Sequence, residues 1–94
     1  MSRQSRIVEI LEKGFAPQRL EVEDDSARHA GHAGAGRGGE THFNVRMAAA
    51  AFEGMSRVAR SRAVNEALAD EFAAGLHALS MTLRAPSELA AEST

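Results

Sequence analysis

Four histidines and no cysteine set the chemistry open to this chain of 94 residues. Three of them, His29, His32 and His42, fall in the stretch Ser26–His42, SARHAGHAGAGRGGETH, which also holds five of the eight glycines and no large apolar side chain. The fourth, His77, stands far downstream. Without thiols there is no disulfide, no thiol chemistry and no self-contained thiolate metal site, so imidazole and carboxylate remain as the strong ligands. The stretch cannot build a core; its composition leaves a solvated loop and a site carried by the rest of the chain as open readings. Its glycines, Gly31, Gly34, Gly36, Gly38 and Gly39, lack the Gly-Lys-Ser/Thr ending of a phosphate loop. Ser26 with His29 and the neighbouring carboxylates lacks the orienting third group and pocket of a nucleophilic site, and the chain has no Tyr or Trp, so an enzyme is not expected.

A second group is basic. Arg57, Arg60 and Arg62 form a patch at the start of the main helix, with Arg46 and Arg84 nearby, suited to phosphate or to an acidic partner. The same charges also serve as ordinary solubilising groups. Against DNA stand the acidic run Glu21, Glu23, Asp24 and Asp25 and a formal net charge of −2. The chain has no apolar run long enough to span a bilayer and no signal-peptide pattern, so a cytoplasmic protein without membrane partners is expected.

The elements that position these groups follow from periodicity. Ile7, Ile10, Leu11 and Phe15 give one face of a helix over Arg6–Phe15, capped by Ser2 or Ser5 and ended by Gly14 and Pro17. Leu20 and Val22 alternate with Arg19, Glu21 and Glu23 in a strand with a charged outer face. Phe43, Val45 and Met47 make the inner face of a second strand, which turns His42, Asn44 and Arg46 outward. About sixteen residues separate the two strands, far more than a tight hairpin needs. Ala48–Phe52 is ambiguous between strand end and short helix, and Gly54 breaks it. From Ser56 a helix carries the stripe Val64, Leu68 and Phe72 and ends at Gly75. His77–Leu83 is the third strand, with His77 sharing the parity of Leu79 and Met81 at the core-facing rim. Pro86 stops it, and Ser87-Glu88-Leu89 opens a short helical turn. The crossover from Met47 to His77 has room for helices, so the second and third strands can run parallel. The expected fold class is α+β, αββααβ(α), with a three-stranded mixed sheet and helices on one face. One domain spans 1–94, with a core of about 5–89, a long Gly/His-rich loop at 26–41 and a frayed end at 90–94.

Several segments resemble the BolA family in order and spacing. They are Leu20-Glu21-Val22-Glu23-Asp24-Asp25-Ser26, His29 with the following glycines, and Gly39-Glu40-Thr41-His42-Phe43. They continue with Phe52-Glu53-Gly54-Met55-Ser56, Arg60-Ser61-Arg62-Ala63-Val64-Asn65, Leu68-Ala69-Asp70-Glu71 and Gly75-Leu76-His77-Ala78-Leu79-Ser80. The resemblance covers roughly residues 5–89. It implies a class II KH-like fold and a non-enzymatic adaptor that pairs with a monothiol glutaredoxin. Such an adaptor shares a bridging [2Fe-2S] cluster or forms a cluster-free complex, in iron–sulfur trafficking or iron and redox sensing. It also implies, as the alternative, a DNA-binding transcriptional regulator of stress, envelope or morphology genes.

By the same resemblance His77 is a cluster ligand and His29 the second. His32, three residues on in the same glycine-rich stretch, competes with His29, and His42 and Ser26 are expected in support. The thiolates would arrive with the partner and glutathione, so the isolated protein is expected to lack the cluster. Ser61 stands where the family's Arg-His-Arg motif has its histidine.

Overall fold

Ser2 opens the first element. In the computed structural model, which describes residues 2–25 and 41–92, its hydroxyl accepts a hydrogen bond from the Ser5 amide and helix α1 (Arg3–Phe15) follows. The hydroxyl satisfies one of the amides that a helix start leaves without an intrahelical partner. The helix therefore begins three residues before the expected Arg6. At the other end Gly14 stays helical. Ala16 takes the left-handed turn, at φ 46°, and its amide reaches the Glu12 carbonyl at 3.0 Å.

Strands β1 (Arg19–Asp24), β2 (His42–Ala48) and β3 (Ala78–Arg84) form one sheet in that order. β1 pairs with β2 antiparallel, Val22 opposite Val45, and β2 pairs with β3 parallel, Val45 opposite Met81. The ambiguous alanine run becomes a 3₁₀ turn at Ala50–Phe52, and Gly54, at φ 77°, ends the turn. Ser56 then caps α2 (Arg57–Ala67) by accepting from the Ala59 amide. The helical stripe is interrupted at Leu68, whose ψ of 13° separates α2 from the short α3 (Ala69–Ala73). α4 (Pro86–Glu92) follows β3, with proline at its first position, where no amide is required.

The helices cover one face of the sheet, as expected. β2 is the central strand, and Phe43, Val45 and Met47 on its inner face are buried against Ile7 and Leu11 of α1 and Val64 and Leu68 of the crossover. Burying a side chain of the Leu or Phe class contributes about 2–3 kcal/mol. Among the described residues no helix is long and apolar enough to cross a membrane.

The outer face of the sheet is polar. Strand alternation turns Arg19, Glu21 and Glu23 of β1, Asn44 and Arg46 of β2, and Ser80, Thr82 and Arg84 of β3 to that side.

Candidate functional site

His77 lies one residue before β3 and is exposed, outside the strand that was expected to begin with it. A turn delivers it there. Gly75, at φ 123°, takes a conformation open to glycine, and the Leu76 amide donates to the Glu71 carbonyl at 2.9 Å. The amides of His77 and Ala78 then both donate to the Thr41 carbonyl, at 2.9 and 3.1 Å. Thr41 thereby ties the start of β3 to the start of β2. The consequence is a histidine pair: the rings of His42 and His77 stand edge to face, with centroids 6.1 Å apart. The Thr41 hydroxyl lies 2.9 Å from His42 Nδ1 and orients that ring. His42 is half-buried and is the histidine beside His77. Ser26, His29 and His32, the other residues expected here, lie outside the described residues.

The donor set decides against a cluster. A [2Fe-2S] centre needs four ligands, mainly thiolates, and this chain has no cysteine. Among the described residues no group of three or more His, Cys, Asp or Glu is placed to hold a metal ion. Two imidazoles in edge-to-face contact do not amount to such a site. The expectation of a bridging [2Fe-2S] cluster shared with a glutaredoxin and glutathione, with the trafficking and sensing role built on it, is corrected on these grounds.

The expected basic patch is divided by the fold. Arg57 and Arg62 of α2 are exposed. Arg60 between them is only 6% exposed and works inside the molecule. Its Nε donates to the Met55 carbonyl at 3.0 Å, its Nη1 donates to the Leu83 carbonyl at 3.2 Å and to Glu88, and its guanidinium lies 5.9 Å from the Phe52 ring centre. Arg60 is thus a tie between α2, β3 and α4. Arg46 sits apart, on the open face of the sheet, 3.3 Å from Glu21. A shallow groove between α2 and β3 has Arg57, Ser61 and Arg84 on its walls.

Two charged residues of structural weight escaped the sequence reading. Glu71 of α3 is 6% exposed and accepts from Arg6 Nε at 2.9 Å and from Arg3 Nε at 3.3 Å. Arg6 beside it, more than Arg3, holds its carboxyl below the usual range against the opposing effect of burial. Glu88 accepts from the Ala85 amide at 2.6 Å, which closes the start of α4. That bond, then Arg60, keeps its carboxyl low as well.

Comparison with known proteins agrees with this architecture. Residues 11–88 match the family model described as BolA, BolA-like protein. The SufE-like protein 1, chloroplastic/mitochondrial, of Arabidopsis thaliana is 51% identical over 92 residues, covering 94% of this chain and 25% of that protein. An uncharacterized protein in the cobS 5′ region of a Sinorhizobium species is 48% identical over 89 residues, covering 94% of this chain and 96% of that one. The chain thus spans a quarter of the first relative and nearly all of the second. Among solved structures, the BolA domain of SufE1 from Arabidopsis thaliana superimposes with a TM-score of 0.84 at 50% identity, covering 94% of this chain and 96% of that one. With the family pattern running through most of its length, from the middle of α1 into α4, the chain belongs to the BolA family.

Proposed function

We propose that the chain is an adaptor that docks on a monothiol glutaredoxin in a cluster-free complex, with the His42–His77 rim at the centre of the contact. Membership of the BolA family makes it a non-catalytic protein. The observation that carries the docking surface is the exposed His77 ring held against the half-buried His42 ring at the sheet end. An aromatic group fixed by a rigid sheet loses little freedom on binding and still offers a polar nitrogen. The element order is read here as class II KH-like, and 1–94 as one domain with a core of about 5–89.

The test is titration calorimetry with a purified monothiol glutaredoxin in buffer freed of iron by a chelator. Saturable binding is expected, weakened at least about tenfold by His77→Ala, a loss of about 1.4 kcal/mol. Because His77 is exposed, that variant keeps the parent melting temperature. No binding, or equal binding by His77→Ala, defeats the reading.

A second reading rests on the exposed Arg57 and Arg62 of α2, with Arg57 on the wall of the groove that Ser61 and Arg84 also line. There the chain would meet a DNA backbone as a regulator. Binding to a duplex that weakens steeply with salt and is lost in Arg57→Glu/Arg62→Glu supports it; salt-insensitive or absent binding removes it.

A further inference from the structure

The open face of the sheet carries a separate feature at the other end of β2. Six residues of strand separate His42 from Ala48, about 20 Å. At that far end lies a cavity of about 190 Å³, walled by Arg19, Glu21, Arg46 and Arg84 and floored by Ala48 and Leu89. The register explains the grouping. Arg19 of β1 and Arg84 of β3 both pair with Ala48 of β2, so two arginines flank one small side chain. Adjacent strands are about 4.8 Å apart, which sets the two backbones roughly 10 Å from each other with the alanine between them. Arg46 and its cross-strand partner Glu21 form the next row.

The charge balance is unusual for this protein. Three guanidinium groups and one carboxylate line the cavity, with Glu88 of α4 close enough to Arg84 to feel its charge, in a chain whose net charge is −2. Arg46 and Glu21 stand 3.3 Å apart, with side chains 57% and 71% exposed, so an incoming carboxylate exchanges with that pair at little cost. Beneath the charged rim the floor is apolar, from Ala48 and, on α4, Leu89. A volume of about 190 Å³ falls below the roughly 300–1,000 Å³ of small-molecule pockets. It suits one or two side chains. A phosphate backbone would satisfy the rim and leave the floor unused, whereas an acidic residue next to an aliphatic one satisfies both.

We propose that this end of the sheet is a docking site for an acidic–aliphatic segment of a partner protein. Its carboxylates lie on Arg19 and Arg84, and its Leu- or Met-like side chain covers Ala48 and Leu89. Arginine suits the task because its planar fork takes carboxylate oxygens in pairs. The inference does not depend on the histidine rim.

The probe is the peptide fluorescein-Glu-Leu-Glu-Asp-Leu-amide, with the dye on its N-terminus, titrated with the full chain at low salt and followed by anisotropy. Saturable binding is expected, with backbone amide shifts at Arg46, Ala48 and Arg84 and none in α1. Arg19→Glu and Arg84→Glu each weaken binding at least fivefold while circular dichroism shows the fold intact. Glu21→Gln tightens it two- to threefold by releasing Arg46, and His77→Ala leaves it unchanged. The proposal is overturned by non-saturable binding, by a Leu-to-Ser peptide binding as well as the parent, by an oligonucleotide of equal charge competing as well as unlabelled peptide, or by Glu21→Gln binding more weakly.

Discussion

Replacing Glu71 with glutamine removes a charge that two arginines of α1 share. Arg6 places Nε 2.9 Å from one carboxylate oxygen and Nη2 3.1 Å from the other, and Arg3 adds Nε at 3.3 Å. Breaking a fully buried ion pair costs about 3–5 kcal/mol. Here the Glu71 side chain is 7% exposed but that of Arg6 is 38% exposed, so water recovers part of the loss. Glutamine also keeps one acceptor. The expected cost is about 2 kcal/mol out of a total of roughly 5–15 kcal/mol for a domain of this size. At roughly 4–8 °C per kcal/mol the melting temperature falls by about 8–16 °C.

The pH dependence gives a second readout for Glu71→Gln. Hydrogen bonds from Arg6 hold the Glu71 carboxyl below its usual 4.5 in the folded state. Its contribution is therefore complete above the unfolded value and is lost as pH falls through the lowered folded value. The gap between wild type and Glu71→Gln, measured by thermal melts followed at the helical circular-dichroism band, is widest near neutral pH and closes in acid. A gap below about 3 °C, or one that stays constant into acid, refutes the account of Glu71 as a clamp.

Three further outcomes follow from described contacts. Arg60→Met keeps the volume but abandons the Met55 and Leu83 carbonyls and Glu88; it costs about 2–3 kcal/mol in urea denaturation and strips hydrogen-exchange protection from α4 first. Ala16→Gly removes a side chain from the left-handed turn at φ 46° and raises stability by about 0.5–1 kcal/mol, read as a higher urea midpoint at unchanged slope. Ser56→Ala deletes the hydroxyl that accepts from the Ala59 amide and lowers stability by about 1 kcal/mol, read from the same urea curves.

Period two was readable because each strand has one dry face. Leu20 and Val22, then Phe43, Val45 and Met47, then Leu79, Met81 and Leu83 each mark the inner side of a strand. Parity misled at His77 because β3 starts at Ala78, and alternation has no meaning beyond the end of the sheet. Arg60 was taken for a surface charge although it precedes Val64 by four residues and Leu68 by eight, on the buried stripe of the helix. The spacing pointed inward. What spacing cannot supply is the distant partner that makes such a charge tolerable there: Glu88 for Arg60, and Arg3 and Arg6 for Glu71. For the candidate site, sequence resemblance paired His77 with His29. The fold brings His42 to it through the Thr41 carbonyl, a contact made by backbone and therefore invisible in side-chain types.

Both outer strands of the sheet have a backbone carbonyl turned away from β2 and already occupied by a side chain. Val22 of β1 accepts from Gln4 Nε2 at 2.7 Å, and Leu83 of β3 accepts from Arg60 Nη1 at 3.2 Å. An open strand edge recruits further strands, and filling its carbonyls from within denies an incoming chain part of the ladder. The same arginine that fastens α4 therefore also guards against strand-by-strand polymerisation. Its loss exposes the β3 margin to self-association at concentrations the intact protein withstands.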